Sequence, residues 1–206
     1  MARSTVAGQA RPKRGTLNKR AILDTSAALF QEKGYDRTSL DDIARALSVT
    51  KPSLYYHVSS KEEILLECVM TAYSNFQEEI ARRDNPRENG RKRVETFLKL
   101  YLQIISNDIG VSMVLADDRV MSADGRAKYN SLRRILNNRL EELIGIGIAD
   151  GSISVPETRL TTFAIFGMFN WVGHWNFRRT TTSIDSIFDR FISVIFDGIG
   201  TDKPAS

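Results

Sequence analysis

Apolar positions recur at helical spacing along most of the chain. Ile22, Leu23, Ala27 and Phe30 share one face, and Gly34 stands where a helix C-terminal glycine belongs. This pattern predicts a first helix from Thr16. A second, short helix opens at Ser39, whose hydroxyl caps it, with Asp41 and Asp42 at the positive helix end and Ile43, Ala44 and Leu47 turned inward. Ser48 and Val49 make a tight turn. A third helix starts at Thr50 as cap, carries Pro52 in its first turn, and runs through Leu54 to about His57. Ser60 caps a long fourth helix reaching about Arg83, with Glu63 placed to complete a capping box. Beyond Asn85 and Pro86 the periodicity predicts helices over 87–106, 109–116, 125–147, 156–178 and 183–199. No useful run alternates in the manner of a strand, and no fixed period repeats. The expected fold is all-α. A basic arm (1–15) precedes a three-helix helix-turn-helix domain (16–62), which a long helix joins to a larger helical domain (63–206).

Composition narrows the class. The 206 residues are 42% hydrophobic and 26% charged, enough apolar material for a real core and inconsistent with disorder throughout. No stretch approaches the roughly 20 apolar residues of a membrane span, and the N-terminus lacks the apolar core of a secretion signal, so no membrane role and a cytoplasmic home are expected. A single cysteine, Cys68, gives no intramolecular disulfide, and two histidines, His57 and His174, make a zinc site improbable. No metal and no cofactor are expected. Catalysis is the competing class. Its candidates are the Asp117–Asp118 pair and Cys68, yet adjacent aspartates in a loop are usually helix caps and no histidine neighbours Cys68 in sequence. Phosphate-loop, dinucleotide and metal-ligand spacings are missing, so the chain is not read as an enzyme.

Charge adds direction. The net charge is +4, but residues 1–61 hold eleven basic against five acidic side chains, and residues 1–20 hold six basic side chains with no acid. A basic front facing a slightly acidic rear suits a polyanionic partner. Two short helices joined by a tight turn place the second helix in the DNA major groove with its front side chains at base edges. That helix presents Thr50, Lys51 and Ser53 first, then Tyr55, Tyr56 and His57, while Lys61 opens the following helix as a phosphate contact.

The run Thr38-Ser39-Leu40-Asp41-Asp42-Ile43-Ala44, then Val49-Thr50-Lys51-Pro52-Ser53-Leu54-Tyr55-Tyr56-His57-Val58 and Ser60-Lys61-Glu62-Glu63-Ile64-Leu65, resembles the DNA-binding domain of the tetracycline-repressor (TetR) family. The resemblance covers about residues 16–70. It implies a homodimeric transcriptional regulator, usually a repressor, whose C-terminal domain binds a small ligand and dimerises. It also implies DNA-contacting roles for Thr38, Thr50, Lys51, Ser53, Tyr55, Tyr56, His57 and Lys61. Pro52 stands where glycine is commoner in the family, and Val58 replaces the usual phenylalanine. The stretch Phe166 to Trp175, with Gly145 to Gly151 before it, is similar to members that control fatty-acid or steroid breakdown and sense acyl-CoA thioesters.

The penultimate helix is apolar nearly all round between Phe163 and Trp175, so it must be covered on more than one side. The last helix carries a wide stripe including Ile184, Phe188, Phe191 and Ile195. Either pair of faces is simply core, or the two helices build a two-fold dimer seam through Phe169, Gly173, Ile184, Phe188, Phe191 and Ile195, which is the expectation adopted. Asn170 and His174, one turn apart and flanked by Trp171, read as the polar groups of a ligand pocket walled by Phe97, Tyr101 and Phe166. The functional expectation is a ligand-released repressor that binds a palindromic operator in double-stranded DNA as a homodimer and senses a small apolar or acyl-CoA effector. Its alternatives are a DNA-binding protein without a sensor and a small helical enzyme.

Overall fold

The computed structural model describes residues 17–116, 119, 121–174 and 182–199. The arm 1–15, Asp117, Asp118 and Trp175 lie outside the described residues. The helices are α1 (Lys19–Lys33), α2 (Leu40–Ala46), α3 (Lys51–Tyr55), α4 (Lys61–Arg83), α5 (Gly90–Ile105), α6 (Asp108–Leu115), α7 (Ala123–Ala149), α8 (Thr158–Trp171) and α9 (Ile184–Asp197), with a 3-10 turn over Val172–His174 closing α8. No strand occurs among the described residues.

Caps explain most boundaries. Asn18 caps α1, its side chain accepting from Ala21 N at 2.9 Å, while Thr16, where the helical pattern begins in sequence, lies outside the described residues. Ser39 and Asp42 form a reciprocal capping box at α2, and these hydrogen bonds hold the Asp42 carboxyl down to about 2. Ser60 caps α4 as expected, but Glu63 reaches one residue further back, accepting from Ser59 N at 2.6 Å and Ser59 Oγ at 2.5 Å. The turn between α2 and α3 places Ser48 at φ 56, a left-handed conformation that costs a non-glycine residue about 1–2 kcal/mol.

Around α3 a small core gathers Ile22, Ala27, Ile43, Ala44, Leu54 and Val58, all buried. It continues without a break into the larger one, because Leu65, Cys68, Val69 and Phe76 on α4 are buried too. The Cys68 thiol, pushed up to about 12 by burial, stays protonated at neutral pH, which removes it as a nucleophile. Short α6 packs against α1, α4, α5 and the 3-10 turn, and so touches both halves of the chain.

At the far end α5 is stapled to α7. Gly90 N donates to Asp150 Oδ2 at 2.6 Å and Arg91 N donates to Ser152 Oγ at 3.0 Å. The backbones approach so closely that a methyl group on Gly90 would collide with Gly147. Nearby, Asp84 at the end of α4 accepts from Arg93 Nε and Nη2, both at 2.8 Å, and from Arg139 Nη2 at 2.7 Å, tying α4, α5 and α7 together.

Candidate nucleic-acid interface and ligand chamber

Helix α3 stands on its buried residue Leu54 and turns its remaining side chains outward. Thr50 caps the helix, with its hydroxyl 2.9 Å from Ser53 Oγ. Thr50, Lys51, Ser53, Tyr55 and Tyr56 are all exposed, Tyr56 by 87%, and His57 is half-buried with its ring edge-on to Tyr56. Lys51 Nζ lies 3.0 Å from Asp41 Oδ2, a contact on the surface that a base or phosphate can replace at little cost. This pairing raises the lysine pKa, so its charge is secure.

Two of the expected DNA contacts sit differently. Thr38 is buried, and its hydroxyl donates to Gly34 O at 2.9 Å, with Leu29 O at 3.3 Å. Its side chain braces the loop between α1 and α2 and is not on the surface. Lys61 is half-buried, donates to Tyr35 O at 2.7 Å and more weakly to Asp36 O at 3.5 Å, and lies 4.1 Å from the centre of the Tyr35 ring. It joins the start of α4 to the end of α1, leaving the third ammonium hydrogen for an outside acceptor.

In the larger half a chamber of about 320 Å³ opens among α4, α5, α7 and α8. Tyr101, Phe166 and Asn170 line it as expected, and Tyr101 Oη donates to Asn170 Oδ1 at 2.6 Å. Burial raises the Tyr101 pKa, so the hydroxyl remains a donor. Phe97 stands behind this wall, its ring parallel to Tyr101 at 6.5 Å and edge-on to Phe76 at 5.1 Å. The opposite wall is α7, through Tyr129, Leu132, Arg133, Leu136 and Asn137, of which Tyr129, Leu132, Leu136 and Asn137 do not stand among the pocket residues expected from sequence. Their signal is legible all the same, since Tyr129, Leu132 and Leu136 recur at helical spacing. Trp171 and His174 do not line the chamber. Both are exposed, with ring centres 4.9 Å apart. A second, more polar space of about 420 Å³ shares Arg133, Asn137 and Phe163 with the chamber and adds Arg134, Arg159 and Glu141.

The expected dimer seam also needs revision. Phe169, Gly173 and Phe188 are buried within one chain, Phe169 with its ring 5.3 Å from Phe191, so they serve the core. Ile184, Phe191 and Ile195 are half-buried. The outward stripe is on α8: Leu160, Phe163, Ala164, Gly167 and Trp171 follow i, i+3, i+4, i+7, i+11 spacing and are all exposed. A methyl group on Gly167 would meet nothing within 4 Å, so this face is open to another helix.

One link joins the chamber to the end of the molecule that carries α3. Ser122, the cap of α7, donates through its N at 2.8 Å and its Oγ at 2.7 Å to Glu62 Oε1, in the first turn of α4. Among the described residues no helix is long and apolar enough to cross a membrane, and no cluster of three His, Cys, Asp or Glu side chains could hold a metal ion.

Comparison with known proteins agrees in both halves. A family model described as bacterial regulatory proteins of the tetR family matches residues 22–68, and one described as a tetracyclin repressor-like C-terminal domain matches residues 87–199. The biofilm operon icaADBC HTH-type negative transcriptional regulator IcaR of Staphylococcus epidermidis is 37% identical over 99 residues, which are 43% of this chain and 54% of that protein. The chain thus spans about half the length of this relative. The crystal structure of the TetR-family transcriptional regulator PfmR from Thermus thermophilus superposes with a TM-score of 0.78 at 25% identity, over 87% of this chain and 99% of that one. The crystal structure of AibR in complex with isovaleryl coenzyme A and operator DNA superposes with a TM-score of 0.77 at 24% identity, over 86% and 97% of the two chains.

Proposed function

The chain belongs to the tetracycline-repressor family of bacterial regulatory proteins, and on that footing we propose that it is a cytoplasmic transcriptional repressor that binds a palindromic operator as a homodimer and is released by a small effector. The observation that carries this reading is the double role of α7, which walls the chamber and is hydrogen-bonded at its cap to Glu62, next to Lys61. A ligand that displaces α7 therefore pulls on the first turn of α4. Through Lys61 and the Tyr35 carbonyl the pull reaches α1 and the helix pair above it. Packed helices shift as units, so the separation of two recognition helices changes against a fixed half-site spacing. The chamber favours this reading over a regulator without a sensor, whose corresponding space would be filled by side chains.

On the DNA side, Lys51 and Ser53 reach base edges, Thr50, Tyr55, Tyr56 and His57 hold the backbone, and the spare hydrogen of Lys61 meets a phosphate. Lys51→Ala is expected to change which operator is preferred, with about 1–3 kcal/mol lost at one base position. A uniform loss across a panel of operator variants would reassign Lys51 to the backbone.

The effector we favour is an acyl-CoA thioester, its acyl group among Tyr101, Phe166 and Leu136 and its phosphates beside Arg133, Arg134 and Arg159. Support comes from the pairing of an aromatic chamber with a basic mouth, and from the structural neighbour bound to isovaleryl coenzyme A and operator DNA. Titration of acyl-CoAs with and without operator DNA tests the scheme. Coupling should be reciprocal, about 5–150-fold in either direction. Replacing Arg133 and Arg134 by alanine should weaken acyl-CoA binding at least tenfold and leave the phosphate-free acyl-pantetheine unaffected. Equal weakening of both would remove the phosphate role.

A further inference from the structure

Another cavity lies between the two halves of the molecule, apart from the ligand chamber. Ala27 and Phe30 of α1, Tyr35 beyond its end, Leu65 of α4, and Val111 and Ser112 of α6 enclose about 260 Å³. Phe30, Leu65 and Val111 are buried and apolar, while Ser112, also buried, lines the same space with a hydroxyl that is hydrogen-bonded to Cys68 and keeps its oxygen as an acceptor. The Phe30 and Tyr35 rings are inclined at 58° with centres 5.1 Å apart, and although Lys61 covers one face of Tyr35, the corner leaves ring edges against which a further ring packs. Burial pushes the Tyr35 pKa up to about 12, so its hydroxyl keeps its proton. An apolar protein cavity of about 150 Å³ is enough to hold benzene, so this one accommodates one or two fused rings.

We propose that this junction cavity is a second ligand site, specific for a one- or two-ring aromatic molecule carrying a single hydrogen-bonding group. The apolar rings fill the space between Phe30, Leu65 and Val111, and the polar substituent meets Ser112 or Tyr35. Its position gives it leverage. The occupant touches α1 of the DNA-facing half and α6 of the other half at once, so it resists any movement of one against the other. The site does not depend on the identity of the chamber's effector.

Indole and phenol are the probes, titrated calorimetrically into the full-length protein. One probe should bind per chain. Ala27→Leu, which fills the cavity from α1, and Gln31→Trp, which covers it from its half-exposed rim position, should each weaken binding at least tenfold. Gln31→Trp decides the question if Ala27→Leu fails to fold. Asn170→Leu, in the other chamber, should leave probe binding unchanged, and the occupied protein should differ from the free protein at least threefold in affinity for operator DNA. Failure of either probe to bind, binding that survives Gln31→Trp, or binding lost only in Asn170→Leu would overturn the site. Operator affinities that agree with and without probe would overturn the bridging role.

Discussion

Replacing Leu160 and Trp171 together by glutamate is expected to leave a folded monomer whose operator affinity has dropped at least a hundredfold. Leu160 is 68% and Trp171 62% exposed in the isolated chain, at the two ends of the α8 stripe, so neither substitution opens the core. In a two-fold pair the same stripe meets its own copy, and four carboxylates would be forced into a desolvated apolar seam. A palindromic site held through one half only loses the second set of contacts, and a hundredfold loss corresponds to about 2.7 kcal/mol. Phe188→Glu should behave differently, since Phe188 is buried within its own chain: it should lower the melting temperature first. Sedimentation and thermal melting of the two variants separate these outcomes. An intact dimer in the α8 double variant would place the seam elsewhere.

Asp84→Ala should cost about 3 kcal/mol of stability, the low end for breaking a buried ion pair, because Arg139 keeps part of its hydration. Arg93 is the reason for so large an effect: only 9% of it is exposed, and its Nε and Nη2 both donate to Asp84. Without the carboxylate a guanidinium stays buried without its partner. For a chain of this size the melting temperature should fall by roughly 6–12 °C. The bidentate bond from Arg93, with Arg139 beside it, lowers the folded-state pKa of Asp84. A depressed carboxylate pKa contributes stability that is complete above the unfolded value of about 3.9 and disappears as pH falls through the folded value below it. The gap between wild type and Asp84→Ala should therefore be constant near neutrality and close progressively below about pH 4. A gap of the same size at pH 3 and pH 7 would show that packing, not charge, holds this corner.

The recognition helix is readable in the sequence because its signals are local. Thr50, Pro52 and Leu54 state the cap, the first turn and the buried face within five residues. The chamber is half readable, for a geometric reason. Successive residues on a helix point about 100° apart, so Asn170 faces inward to Tyr101 while its neighbour Trp171 faces out. An apolar run such as Phe163 to Trp171 shows that two faces need cover but not which face meets its own domain. The α9 stripe poses the same ambiguity, and within the chain it packs on α5 and, through Phe191, on Phe169 of α8. Thr38 and Lys61 carry roles the sequence did not show, for a related reason. Hydroxyls and ammonium groups satisfy carbonyls of neighbouring loops as readily as phosphates, and only the fold shows that Gly34 and Tyr35 lie within reach. The Glu62–Ser122 link, sixty residues long in sequence, has no local signature at all.

The staple between α5 and α7 has a consequence for how the molecule is made. Gly90 N finds its acceptor on Asp150, sixty residues later in the chain. The contacts within α1, α2 and α3, by contrast, join neighbours in sequence and can form as soon as those helices leave the ribosome. At about 5–20 residues per second, α5 waits roughly 3–12 s for the segment that seats its first turn. For that interval the apolar face of α5, including Phe97, Leu98 and Leu102, has only α4 and α6 to rest on. The DNA-facing half is then a finished domain carrying an unfinished one. That nascent stage, and not the mature protein, is where holdase chaperones and proteases should find this chain most vulnerable.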